Sequence, residues 1–121
     1  MLSAADMDQE LLKARCKAMA LRVMKVAGRL PSTIPGRVIA DQLMRSASSA
    51  AANYRAACRA RSEAEFVARL SIVVEETDET MLWLELIGEG GLLPAEKIKD
   101  LLAEANEITA IMVASRKTAS S

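Results

Sequence analysis

Apolar residues recur at alternating spacings of three and four in four segments of this 121-residue chain. An α-helix has 3.6 residues per turn, so this spacing places them on one helix face. Each segment therefore predicts an amphipathic helix with a buried seam. The seams are, in chain order, Leu12, Cys16, Met19, Val23, Val26 and Leu30; Leu43, Ala47, Ala50, Tyr54 and Ala57; Phe66, Leu70, Val73, Thr77, Thr80, Leu84 and Ile87; and Ile98, Leu101, Ala105, Ile108 and Met112.

Residues that start and stop helices lie between the four seams. Pro31 and Pro35 lack the amide hydrogen that a helix interior requires. The run 62–65, Ser-Glu-Ala-Glu, matches a capping box, and the glycines of 88–91 suit a helix end. Pro94 fits the first turn of the last helix. We predict helices over about residues 5–30, 35–60, 63–88 and 94–116.

Helices of this length joined by short loops must run antiparallel to their neighbours. The predicted fold class is all-α, an up-down-up-down antiparallel four-helix bundle, with residues 1–121 forming one domain. Aromatic residues make up only 2% of the chain, which disfavours strands. Residues 46–52 are all Ser or Ala, so we expect the second helix to pack closely against a neighbour.

The chain contains no histidine. This absence excludes Ser-His-Asp and Cys-His nucleophilic systems, histidine zinc sites and Glu-x-x-His di-iron bundles. We therefore expect no enzymatic activity, no catalytic residue, no cofactor and no metal site. We interpret Cys16 and Cys58 as small core residues, and we expect the protein to reside in a reducing compartment. A cluster of carboxylates could offer oxygen ligands to a hard cation, but we interpret it as a solvated or ion-paired surface. Its members are Glu75, Glu76, Asp78, Glu79 and Glu85.

The first residues lack the basic and apolar regions of a secretory signal, and no apolar run approaches the roughly 18 residues needed to cross a bilayer. We expect a cytoplasmic protein without a membrane partner.

The formal net charge is zero, but the charge is unevenly distributed. Residues 1–61 hold eleven Lys or Arg against four Asp or Glu, whereas residues 62–121 hold five against twelve. Basic residues lie on the first two helices, and Arg-rich surfaces suit phosphate. They are Arg15, Lys17, Arg22, Lys25 and Arg29 on the first helix and Arg37, Arg45, Arg55, Arg59 and Arg61 on the second. The candidate nucleic-acid-binding residues are Arg15, Arg22, Lys25 and Arg29. The alternative is that these cations pair with the acidic second half of the chain.

The end of the third helix is apolar around almost its whole circumference. This feature predicts a homo-oligomer interface that includes Met81, Leu82, Trp83 and Leu86. The alternative is a deeply buried helix end within one molecule.

Two stretches of the middle helices resemble a known family. They are residues 42–53, Gln-Leu-Met-Arg-Ser-Ala-Ser-Ser-Ala-Ala-Ala-Asn, and residues 59–66, Arg-Ala-Arg-Ser-Glu-Ala-Glu-Phe, followed by Leu70-Ser71-Ile72. In order and spacing they are similar to the four-helix-bundle proteins encoded by intervening sequences of bacterial 23S rRNA genes. The chain departs from the family at Arg55-Ala56, where Glu-Gly often follows the Ala-Asn pair. We expect Arg45 and Asn53, which lie in the motif, to make buried structural hydrogen bonds.

The resemblance implies a small bacterial cytoplasmic bundle that assembles into a closed pentamer. A related branch is the accessory protein of diversity-generating retroelements, in which a basic pentamer associates with reverse transcriptase and its RNA. Since a shared fold does not transfer function, two hypotheses remain. One is an oligomeric bundle that binds RNA or a ribonucleoprotein through a basic surface, and the other is a structural or protein-interaction module without a nucleic-acid ligand.

Overall fold

A computed structural model of the chain describes the backbone of residues 4–121 and the side chains of residues 8–121. The described residues form four long α-helices and no strand: α1 (Ala4–Ala27), α2 (Ile34–Cys58), α3 (Glu63–Glu89) and α4 (Lys99–Ser120). A short 3-10 turn, Ala95–Lys97, precedes α4. Each helix packs against the next, and α4 returns to contact α1 over a smaller surface. The predicted up-down-up-down bundle is confirmed, with α1 and α3 at diagonal corners.

Three helix ends differ from the sequence prediction by three residues or more, and one of them is the end of the last helix, which runs to Ser120 instead of residue 116. The first helix ends at Ala27 instead of residue 30, because the amides of Arg29 and Leu30 bond carbonyls three residues back and tighten the chain ahead of Pro31. The last helix begins at Lys99 instead of residue 94. Pro94 has extended backbone angles, φ −59° and ψ 137°, so it lies outside the helix that we expected it to open.

Side-chain caps fix the starts of α2 and α3. The Thr33 hydroxyl accepts from the Gly36 amide at 3.2 Å, and the Ser62 hydroxyl accepts from the Glu65 amide at 3.1 Å. Glu65 in turn accepts from the Arg61 amide at 2.9 Å. The bonds to the Thr33 and Ser62 hydroxyls satisfy backbone amides of the first helical turn, which have no partner within the helix. Gly36 has no side chain for a steric reason, because a Cβ there would lie 2.0 Å from the Pro31 carbonyl oxygen.

The core follows the four predicted seams. Every seam residue of α2 and α4 is buried, as is every seam residue of α3 except the half-buried Phe66. The buried face of α2 is made mostly of small residues, and its Ser46 hydroxyl meets the Thr80 hydroxyl of α3 at 2.8 Å. Each hydroxyl also lies within hydrogen-bond distance of a backbone carbonyl of its own helix, and the hydroxyl that accepts across the contact donates to that carbonyl. This polar contact within an apolar core fixes the register of α2 against α3.

We expect Ala47→Leu to lower the free energy of unfolding by about 1–3 kcal/mol, because Ala47 is only 1% exposed in this contact and extra methylenes overpack it. Ala103→Leu, on the exposed face of α4, is the matched control and should change stability little. Urea unfolding followed by circular dichroism measures both variants. Equal midpoints for Ala47→Leu and the unchanged chain would show that α2 is not closely packed.

Candidate nucleic-acid interface

Arg45 joins α2 to α3 through charged hydrogen bonds. Its guanidinium donates to Glu76 at 2.9 Å and to Glu79, and its Nε donates to Gln42 on the preceding turn. The bond from Arg45 holds the pKa of Glu79 below its usual value. The prediction of a buried Arg45 is wrong, because the side chain is 47% exposed on the outer flank of α2. Its role is structural, as expected.

Asn53 lies further along the same contact and is half-buried. Its side-chain amide donates to the Ser49 carbonyl at 2.9 Å, and its oxygen accepts from Arg69 of α3 at 3.1 Å. This bond gives α2 and α3 a second polar link, although Asn53 is half-buried and not buried as predicted.

Arg15 makes the corresponding link between α1 and α4. It donates to Glu104 through two nitrogens, at 2.6 and 3.1 Å, and also pairs with Glu107 at 3.1 Å. These hydrogen bonds raise the pKa of Arg15, and the bond from Arg15 lowers the pKa of Glu104. Arg15 was predicted on an exposed basic surface. That position is corrected, because its side chain is only 29% exposed and its charge is neutralised within the bundle.

The other three residues of the predicted site, Arg22, Lys25 and Arg29, are exposed. None of them forms a salt bridge with a carboxylate in the part of the chain that the structure describes. They lie in the C-terminal half of α1 and in the turn that follows it, on the surface that points away from the core.

The structure assembles a different basic site between α1 and α2, which we call the basic groove. Its volume is about 690 Å³ and its floor consists of the short side chains of Ala51, Ala52 and Ala56. Five cations line the groove: Lys13 and Lys17 from α1, and Arg55, Arg59 and Arg61 from the end of α2 and the loop beyond it. Lys13 pairs with Glu10 at the margin of the groove.

The remaining groove cations, Lys17, Arg55, Arg59 and Arg61, have no salt-bridge partner among the described side chains. The one carboxylate in the lining, that of Glu65, bonds the Arg61 backbone amide as part of the α3 cap. The groove therefore holds a concentrated positive charge that the fold itself does not neutralise.

The sequence identifies most of these cations as basic surface residues but does not show that they meet, because the two walls of the groove come from residues 38 or more positions apart. The signal was present in each helix, since Lys13 and Lys17, and likewise Arg55 and Arg59, are four residues apart and share one face. What joins the two pairs is the antiparallel packing of α1 on α2, which brings the N-terminal half of one helix beside the C-terminal end of the other.

The two cysteines lie in the core or pack against it. Cys16 is buried, and burial raises its pKa to about 12, so its thiol stays protonated. Burial also raises the pKa of the half-buried Cys58. Within residues 8–121, no cluster of acidic or sulfur side chains has the arrangement of a metal site.

The four predicted interface residues divide into two groups. Leu82 and Leu86 are 47% and 41% exposed on the outer surface of α3. Met81 and Trp83 pack against the core, and the Trp83 indole donates to Glu79 at 3.2 Å. The apolar end of α3 therefore contributes partly to the core and partly to the surface.

A family model described as 23S rRNA-intervening sequence protein matches residues 11–114 of the chain. The fold is similar to the crystal structure of a protein with unknown function from the S23 ribosomal protein family of Bacteroides thetaiotaomicron VPI-5482. The TM-score is 0.81 at 28% sequence identity, over 88% of this chain and 98% of that one. No curated protein matches the chain. Among the described helices, none has both the length and the hydrophobicity of a membrane span.

The lowered pKa of Glu104 makes a prediction about acid stability. Because the folded pKa lies below its ordinary value of 4.5, the Arg15 pair stabilises the fold above that value and loses its effect as the pH falls through the folded pKa. As the pH is lowered from about 7 to about 3, the free energy of unfolding should therefore fall less steeply for Glu104→Gln than for the unchanged chain. Thermal unfolding measures this difference, which should stay below ~1 kcal/mol because the pair is partly exposed. Glu75→Gln, at an exposed position, is the control, and identical slopes for all three proteins would contradict the prediction.

Proposed function

This chain belongs to the 23S rRNA-intervening sequence protein family, and from that premise we propose that it is a non-enzymatic, homo-oligomeric bundle that binds RNA, free or within a ribonucleoprotein, through the basic groove. The resemblance of the sequence to this family favours a pentamer that resides in the cytoplasm. The observation that carries the RNA-binding proposal is the cluster of cations in the groove that the fold leaves without carboxylate partners.

The side chains of the groove suit phosphate. The guanidinium fork of Arg55 or Arg59 can donate to two phosphate oxygens at once, and the Lys17 ammonium adds a mobile point charge. Cations four residues apart lie about 6 Å apart along a helix axis, so each wall can follow successive phosphates of one strand. The alanine floor leaves room for a backbone to enter between the walls.

The composition of the groove favours binding that is independent of base sequence. The lining contains Lys, Arg, Ala and Glu but no aromatic side chain on which bases could stack. Of the chain's aromatic residues, Tyr54 is buried and Phe66 and Trp83 are half-buried against the core. Affinity should therefore come from phosphate contacts and counterion release, and should weaken steeply with salt.

A non-enzymatic role agrees with the same residues. The groove presents no nucleophile beside a general base, and its one carboxylate is held by the helix cap. A site of this kind can hold a polyanion in place but has no group positioned to cleave it.

Filter retention of a labelled RNA at low salt tests the proposal. We expect Arg55→Glu/Arg59→Glu to weaken retention by about 10-fold or more, because two phosphate contacts are replaced by repulsion. The control variant, Arg37→Glu/Lys97→Glu, makes the same change in net charge at exposed positions at the other end of the bundle and should bind like the unchanged chain. Equal losses in both variants would show that net charge, and not the groove, governs binding.

The salt dependence of RNA binding provides a second, independent test. For Arg55→Gln/Arg59→Gln, the slope of log K against log salt should become shallower by about 1.4–1.8, since each phosphate contact contributes about 0.7–0.9. If the unchanged chain retains no RNA even at low salt, the RNA-binding proposal fails and an interaction module without a nucleic-acid ligand takes its place.

A further inference from the structure

Two exposed surfaces of the bundle each combine apolar with charged side chains, and the charges of the two surfaces have opposite sign. The first, which we call the basic face, lies on α1 and its C-terminal turn and consists of Leu11, Leu21, Arg22, Lys25 and Arg29. The second, which we call the acidic face, lies on the outer surface of α3 and consists of Ile72, Glu75, Leu82, Glu85, Leu86 and Glu89. No charged group of either face forms a salt bridge with another described residue.

The two faces point away from each other in one molecule. The helices α1 and α3 occupy diagonal corners, and in the described chain no Cα atom of one lies within 8 Å of a Cα atom of the other. Their opposite charges can therefore pair only between molecules. From this arrangement we propose that the basic face of one copy docks on the acidic face of the next copy, head to tail; the inference rests on the proposed homo-oligomer and specifies how it assembles.

The apolar residues of the two faces match in spacing. Leu11 and Leu21 are 63% and 52% exposed and ten residues apart, and Ile72 and Leu82 are 37% and 47% exposed and also ten residues apart. Ten residues correspond to about 15 Å along a helix. Because α1 and α3 run in the same direction, two copies placed side by side can bring both pairs together.

The charged residues of the two faces lie at the same level of the bundle. Lys25 stands two residues before the end of α1 at Ala27, and Glu85 and Glu89 occupy the last turns of α3. A copy that is neither shifted nor inverted thus places cations beside carboxylates. The carboxylates at the end of α3 are unfavourably placed for their own helix, whose C-terminus carries partial negative charge and has no basic residue in its last turn. A neighbour's cations would relieve that repulsion.

A pocket beside the acidic face gives these cations a place to bind. It has a volume of about 370 Å³ and lies between the end of α3 and the start of α4. Three carboxylates, those of Glu85, Glu89 and Glu96, and one cation, Lys99, line it around an apolar base that includes Ile98 and Leu102, so negative charge predominates. A long basic side chain can pack its methylenes on such a base while its charged head meets the carboxylates.

A contact between two different faces determines how the copies are arranged relative to one another. Head-to-tail contacts produce a closed ring when the rotation between copies closes. All copies in such a ring point the same way, so every basic groove opens at the same end, where the first half of α1 meets the end of α2. The ring thus presents several phosphate sites to one RNA, which raises the effective affinity without new contacts.

Charge reversal tests the docking directly, with molar mass measured by light scattering at one protein concentration. The unchanged chain should give a multiple of its 13.0 kDa mass. Arg22→Glu/Lys25→Glu and Glu85→Lys/Glu89→Lys should each shift the mass towards 13.0 kDa, because every interface then joins like charges. The protein that carries all four changes should assemble again, since each interface regains opposite charges with the signs exchanged.

The four-change protein separates the possible outcomes. If α1 met α1 or α3 met α3 across a two-fold axis, like charges would face each other before and after each reversal, so neither paired change would shift the mass. An unshifted mass for either pair, or failure of the four-change protein to recover the mass, overturns the proposal. A mass of 13.0 kDa for the unchanged chain overturns it as well. Far-UV circular dichroism checks that every variant is helical, and Arg37→Glu, an exposed cation outside both faces, should leave the mass unchanged.

Measuring RNA retention distinguishes a failure of the docking proposal from a failure of the proposed function. If the unchanged chain assembles and the four-change protein recovers but neither retains RNA, the RNA-binding function fails and the docking stands. If the chain is a monomer that retains RNA through the basic groove, the docking fails and the RNA-binding function stands.

Discussion

The small side chains on the buried face of α2 are the constraint on which the rest of the bundle depends. Ala47, Ala50 and Ala57 let the backbones of neighbouring helices approach, and the contact between the Ser46 and Thr80 hydroxyls fixes how far α2 can slide along α3. Each hydroxyl keeps a carbonyl partner in its own helix in any register, so the pair favours this register through the one hydrogen bond that joins the two helices. Once that register is set, polar side chains on the flanks of α2 and α3 fall opposite each other along the whole length of the contact.

The distribution of charge follows from this packing. Pairs such as Arg45 with Glu79 and Arg15 with Glu104 join helices that are already neighbours, and they are exposed enough that each contributes modestly. The charges that remain are separated in space, with cations in the basic groove and on the basic face and carboxylates on the acidic face. A net charge of zero therefore conceals a molecule with strongly polar surfaces, and the surface field, not the sum, determines what it attracts.

Much of the fold could be predicted from the sequence, because apolar spacing and helix caps are local properties. The seams of α2 and α4 are buried throughout, and Ser62 caps α3 as its spacing from Glu65 indicates. The predictions that failed depend on neighbours that a one-dimensional pattern does not identify. Arg15 lies off its helix's seam, but only the position of α4 determines that it meets Glu104 and not solvent. The basic groove was missed for the same reason, since each wall alone is an ordinary pair of cations four residues apart.

Lysine acetylation rates measured by mass spectrometry show whether the two basic surfaces of one neutral chain bind different partners. Lys17 lies in the basic groove and Lys25 on the basic face, and both are exposed. We expect RNA to slow acetylation of Lys17 and to leave that of Lys25 unchanged, and we expect Lys25 to react more slowly in the assembled chain than in Glu85→Lys/Glu89→Lys. Equal protection of both lysines by RNA, or equal reactivity of Lys25 in the assembled chain and in that variant, would contradict this expectation.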